Sequence, residues 1–76
     1  MSELITHFGL TVRASREARG WSQELLAAKA NLNRTYVGEI ERGATSPSLI
    51  TLLKLAEALG VKPSGLLDQC EQRLTN

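Results

Sequence analysis

Asn33, Arg34 and Thr35 are consecutive, and Glu39 follows one helical turn later. These are side chains for recognition rather than for breaking bonds. A guanidinium fork matches two acceptors on one planar edge, such as guanine O6 and N7. A threonine offers a hydroxyl or touches a thymine methyl, and a carboxylate accepts from a cytosine amino group. An isolated arginine would ordinarily be a solvated surface charge, so the assignment depends on where Arg34 sits. Catalysis is poorly served by this chain. His7 is its one histidine and Cys70 its one cysteine, and the scattered carboxylates form no nucleophile–base pair, metal-ligand spacing or phosphate loop. The sequence therefore implies no cofactor, no metal and no enzyme.

The elements that position these residues are all helical, five in number and without strands. Leu4, Phe8, Val12 and Ala18 recur at roughly helical spacing from about Glu3 to Arg19, and Gly20 ends that first helix. Ser22 caps a second helix, Gln23 to about Ala30, whose buried side is expected to hold Leu25, Leu26 and the alanines. Asn31-Leu32-Asn33 makes a tight corner. Asn31 tolerates the left-handed conformation, Leu32 turns inward, and Asn33 caps a third helix from Arg34 to Arg42, stopped by Gly43. Ser46-Pro47 reads as a cap with proline at the first helical position, opening a fourth helix that runs to Leu59 and carries Leu49, Leu52, Leu53, Leu55 and Ala56. A fifth begins near Pro63 and frays before Thr75.

The chain has 76 residues, which suits one domain near the lower limit for a single core, and help from a partner chain would be unsurprising. The net charge of +1 gives little general attraction for a polyanion. Its distribution is more informative: Thr11 to Thr45 holds six basic residues against four acids, whereas Ser46 to Asn76 is balanced at three each. A single cysteine excludes an internal disulfide and fits a reducing cytoplasm. No window approaches the roughly 20 apolar residues of a membrane span, and the N-terminus lacks a signal-peptide layout, so a cytoplasmic protein with no membrane partner is expected.

A helix-turn-helix needs a small residue where its helices nearly touch, a turn residue that tolerates positive φ, and apolar residues that hold the second helix down. Ala27, Asn31, Leu32, Val37 and Ile40 fill those places. Helical geometry then throws Asn33, Arg34, Thr35, Gly38 and Glu39 outward, the first three at the N-terminal end that enters a DNA major groove. Ser22 and Gln23 open the second helix, where free backbone N–H groups can hold a phosphate; Ser22 also serves as a plain cap. Tyr36 suits either packing or a phosphate contact, and Arg42, Thr45 and Ser46 lie where backbone or minor groove would pass. Glu39 would repel phosphate unless it accepts from cytosine or pairs with Arg34 or Arg42, and it can reject wrong sequences.

The segments Gln23-Glu24-Leu25-Leu26-Ala27, Asn33-Arg34-Thr35-Tyr36-Val37, Glu41-Arg42-Gly43, Pro47-Ser48 and Leu55-Ala56-Glu57-Ala58-Leu59-Gly60-Val61 together resemble the phage-repressor/Cro-type helix-turn-helix family. The match spans about Phe8 to Leu67, and Arg34-Thr35-Tyr36 is similar to the controller proteins of restriction–modification systems. The resemblance implies an all-α, five-helix, lambda-repressor-like DNA-binding domain. It places Asn33, Arg34, Thr35 and Glu39 at base-facing positions and Gln23 where a glutamine contacts phosphate or braces the recognition helix. It also implies a largely buried, structural Arg16–Glu41 ion pair. Ser15 stands where a leucine is common, and Asn31 replaces the usual turn glycine.

One such module buries only roughly 600–1,000 Å² on DNA, so a homodimer on a palindromic operator is expected. Helices four and five carry more apolar residues than one small core needs. Leu66 is expected to finish the core, and Ile50, Leu53 and Leu67 to form the dimer interface. RNA polymerase or a toxin are further conceivable partners, the latter in an alternative reading as an autoregulating antitoxin. Cys70 reads as a small buried or interfacial hydrophobe, His7 as ordinary surface, and Trp21 as the core anchor of the first corner.

Overall fold

The computed structural model describes residues 2–75, and they form five helices: α1 (Ser2–Ala18), α2 (Gln23–Ala30), α3 (Arg34–Glu41), α4 (Leu49–Leu59) and α5 (Pro63–Thr75). No strand occurs among the described residues. Phe8 and Val12 of α1, Leu26 of α2, Val37 and Ile40 of α3, Leu52, Leu55 and Leu59 of α4 and Leu66 of α5 meet in one core. Every helix contributes to it. The core thus fixes α2 and α3 against a three-helix support, and α1 packs on both α3 and α5.

The corners follow from local chemistry. Ser22 Oγ accepts from the Leu25 N–H at 3.0 Å, and Asn33 Oδ1 accepts from Thr35 N–H at 2.7 Å, so each helix of the motif starts on a side-chain cap. Asn31 between them is left-handed, with φ 55° and ψ 49°, and Leu32 packs on the core. Without a Cβ on Gly9, α1 comes down directly onto the end of α3: an added Cβ would lie 2.2 Å from the Ile40 carbonyl oxygen and 2.8 Å from that of Glu41.

Several details depart from the sequence expectation. The cap of α4 is Ser48, not Ser46: Ser48 Oγ accepts from the Thr51 N–H at 3.1 Å. Pro47 stays in the connecting segment, where it lines an apolar groove with Leu4, Ile5 and Phe8. Ala18 is exposed, because six residues beyond Val12 is about 240° around the helix, and Arg16 takes the inward place. Leu25 is exposed beside buried Leu26, and Leu49 is 78% exposed at the start of α4. Arg42 ends α3 as its C-cap, and α5 remains helical through Thr75. His7 is half-buried, and its Nδ1 is enclosed without a hydrogen-bond partner among the described residues.

Because the obstacle at Gly9 is backbone, Gly9→Ala is expected to destabilise the fold by about 3 kcal/mol despite the better helix propensity of alanine. Urea unfolding of the variant against the parent measures it.

Candidate nucleic-acid interface

The outward side of α3 begins with its cap. Asn33 spends Oδ1 on the N–H groups of Thr35 and Tyr36, which leaves its amide NH₂ free to donate. Arg34 and Thr35 are exposed in the first turn, and Arg34 enters no ion pair with any described carboxylate. A cation at a helix N-terminus opposes the helix dipole, so an anionic partner there relieves an unfavourable field. Glu39 is half-buried and pairs with neither Arg34 nor Arg42.

Gly38, expected to face outward, is buried. It has no side chain of its own, and the arms of Gln23 and Arg42 lie across it. A Cβ there would be 3.1 Å from Arg42 Nη1 and 3.5 Å from Gln23 Oε1. Tyr36 is half-buried against the core, with its hydroxyl in a long 3.4 Å contact with Thr51 Oγ1 of α4. Ser22 and Ser46 are exposed, and Thr45 is half-buried in the segment between α3 and α4. The structure therefore gathers Ser22, Gln23, Asn33, Arg34, Thr35, Glu39 and Arg42 on and around the α2–α3 unit. Thr45 and Ser46 extend it past the end of α3.

Behind this surface, Arg16 and Glu41 meet in a bidentate pair, with Arg16 Nε donating to Glu41 Oε2 at 2.7 Å and Nη2 to Oε1 at 2.9 Å. Arg16 Nη1 also donates to the Trp21 carbonyl at 2.7 Å. Both residues are buried, at 9% and 5% exposure. Donating its hydrogen bonds to Glu41 raises the Arg16 guanidinium above its ordinary value, against the lowering effect of burial, and the charges of Glu41 and Glu17 add to the rise. A third donor, Gln23 Nε2, reaches Glu41 Oε1 at 3.0 Å, a contact that spans 18 residues and that sequence spacing does not reveal. Trp21 is half-buried at its corner rather than enclosed, and Lys29 lies over its ring, 4.9 Å from the centroid. Cys70 is buried and its thiol is pushed up by that burial, with Arg73 opposing.

A capped pair of short helices joined by a left-handed corner, with a polar, exposed second-helix N-terminus, defines the class. The helix-turn-helix family model matches residues 12–66, and the chain belongs to that family. Over 72 residues it is 44% identical to the control protein C.BamHI of Bacillus amyloliquefaciens, covering 87% of this chain and 89% of that protein. The crystal structure of the restriction–modification controller protein C.AhdI from Aeromonas hydrophila is similar at a TM-score of 0.80 and 45% identity, over 87% of this chain and 98% of that one. The controller protein C.Esp1396I, solved as a tetramer in complex with its natural 35 base-pair operator, is similar at a TM-score of 0.89 and 26% identity, over 96% of both chains.

Removing one member of the buried pair strands the other. Arg16→Met is expected to lose about 3–5 kcal/mol of stability, read from the denaturation midpoint.

Proposed function

We propose that this chain is a sequence-specific transcription regulator that binds a palindromic operator as a homodimer and controls a restriction–modification operon. The observation that carries the reading is Arg34: exposed, without an ion-pair partner among the described residues, and set in the first turn of α3 beside the Asn33 cap. Asn33, Arg34, Thr35 and Glu39 read base edges. Ser22, Gln23, Tyr36, Arg42, Thr45 and Ser46 hold the sugar–phosphate backbone on either side. The similarity to control proteins over nearly the whole chain supports the operon assignment, and the operator-bound relative supports DNA as the partner.

Pairing rests on α4 and α5. Leu49, Ile50, Leu53 and Leu67 are 78%, 67%, 53% and 47% exposed, and exposed apolar side chains on neighbouring helices suit a partner surface. Leu66 is fully buried and belongs to the core. Leu49 joins the interface set that sequence reading limited to Ile50, Leu53 and Leu67. A protomer 31 Å in its longest dimension suits half-sites about 34–36 Å apart. The relatives described above are control proteins, and a toxin-neutralising role gains no support from them. An activating contact with RNA polymerase would be made by the DNA-bound dimer. No helix among the described residues is long and apolar enough to cross a membrane, and a cytoplasmic location fits this role.

Selecting bound sequences from a random DNA pool defines the operator. Against that operator, Arg34→Ala is expected to weaken binding by about 1–3 kcal/mol per half-site and to relax preference at one base pair, with the circular dichroism unchanged. Unaltered affinity would remove Arg34 from base readout. Leu53→Asp, at an exposed position, is expected to fold yet to run as a monomer by light scattering and to lose operator binding at concentrations where the parent is saturated. A dimeric Leu53→Asp protein would place the interface elsewhere.

A further inference from the structure

We propose that Glu41 is a positioning residue for DNA binding, and that the buried Arg16–Glu41 pair acts at the DNA surface by fixing the polarity of the Gln23 side-chain amide. This rests on the reading of Gln23 as a phosphate contact.

A glutamine amide can rotate so that either its oxygen or its nitrogen faces a neighbour, and the two orientations offer opposite chemistry to a phosphate. Only the nitrogen donates, and a phosphate oxygen only accepts. Glu41 removes the ambiguity. Its carboxylate is held by Arg16 at both oxygens, at 2.7 and 2.9 Å, and it can only accept. The amide nitrogen of Gln23 must therefore face it, at 3.0 Å. The flipped amide would set an oxygen against a carboxylate oxygen.

With Nε2 anchored, one of its two hydrogens is used on Glu41 and the other remains to donate. The Gln23 amide lies over Gly38 of α3, where an added Cβ would be 3.5 Å from Oε1 and 3.9 Å from Nε2. Arg16 is equally necessary, because its Nε and Nη2 occupy the carboxylate and its Nη1 is tied to the Trp21 carbonyl. The carboxylate consequently cannot rotate away from Gln23. The first residue of α2 and the last of α3 are joined through one carboxylate, so the phosphate donor is set relative to the helix that reads bases.

The test is a mutant cycle on the full chain with the selected operator. Gln23→Met keeps length and removes the amide. Arg16→Met with Glu41→Leu removes both buried charges together, an exchange that cores generally tolerate. Gln23→Met is expected to weaken operator binding about tenfold per subunit, with the salt dependence unchanged because no charge is lost. The folded Arg16→Met/Glu41→Leu protein is expected to lose a similar factor, and the triple variant no more than either. Arg16→Met with Glu41→Gln, which returns an acceptor to Gln23, is expected to recover part of the loss.

If Gln23→Met binds as tightly as the parent, the phosphate reading of Gln23 fails. If Gln23→Met is weakened but the Arg16→Met/Glu41→Leu protein binds like the parent, the positioning role is overturned while the phosphate reading stands. Losses that multiply in the triple variant also overturn it. Should the double variant not fold, nuclear magnetic resonance of the parent decides. One Gln23 amide proton shifted downfield and protected from exchange supports the proposal, and a freely exchanging pair of ordinary shift overturns it.

Discussion

The Glu41 carboxylate, buried at the last turn of α3, is where three separately coded parts of the chain converge. Arg16 comes from α1, the Trp21 carbonyl is reached through the same guanidinium, and Gln23 comes from the first position of α2. Burying two charges is unfavourable, and such a pair is seldom the best way to stabilise a core. What it supplies here is directional. Apolar contacts between Val37, Ile40 and Leu26 tolerate small sliding and rotation, whereas a bidentate guanidinium–carboxylate pair admits one arrangement. The missing Cβ at Gly9 belongs to the same device, since it lets α1 approach the α3 carbonyls closely enough for Arg16 to reach.

Accurate placement matters because general electrostatic attraction is weak. A net charge of +1 leaves little sequence-independent affinity for DNA, so binding has to come from a few well-placed contacts used twice. Arg34 is the one basic side chain in the first turn of α3. Glu39 enters no ion pair among the described residues, and its carboxylate would repel a phosphate brought close to it. Together they favour discrimination over avidity for arbitrary DNA, and dimerisation restores the affinity that a single module lacks.

The sequence reveals much of this where the determinant is local. Ser22, Asn31 and Asn33 fix both ends of the motif by capping chemistry that acts within three residues, and α2 has the expected bounds. Arg16 and Glu41 were legible through family likeness rather than spacing, since 25 residues separate them. Local signals failed where two candidates compete within one turn: Ser46 and Ser48 are equally good caps, and packing of Pro47 near Ile5 and Phe8 favours the second. Ala18, about 240° around the helix from Val12, and Leu25, adjacent to buried Leu26, show the limit of an approximate period. Burial of Gly38 by Gln23 and Arg42, and the third hydrogen bond to Glu41, arise only when α2 and α3 are packed together.

Reading a two-fold operator places a further demand on the fold, because the spacing of two recognition helices is no more rigid than the link between α3 and the rest of each protomer. The pair at Glu41 restrains the C-terminal end of α3 against α1 and α2 but does not reach α4. A contact toward α4 comes from the first turn of α3, where Tyr36 packs on the core with its hydroxyl 3.4 Å from Thr51 Oγ1, and Thr51 in turn accepts from Ser48 Oγ at 3.1 Å. The contact is long and weak on its own, yet Thr51 is 6% exposed and held on the first turn of α4, immediately beside exposed Leu49 and Ile50. α3 is thus tied at its C-terminal end to α1 and α2 and touched near its start by α4. The contact links α3, which carries Arg34 at its start, to α4, which carries exposed Leu49 and Ile50.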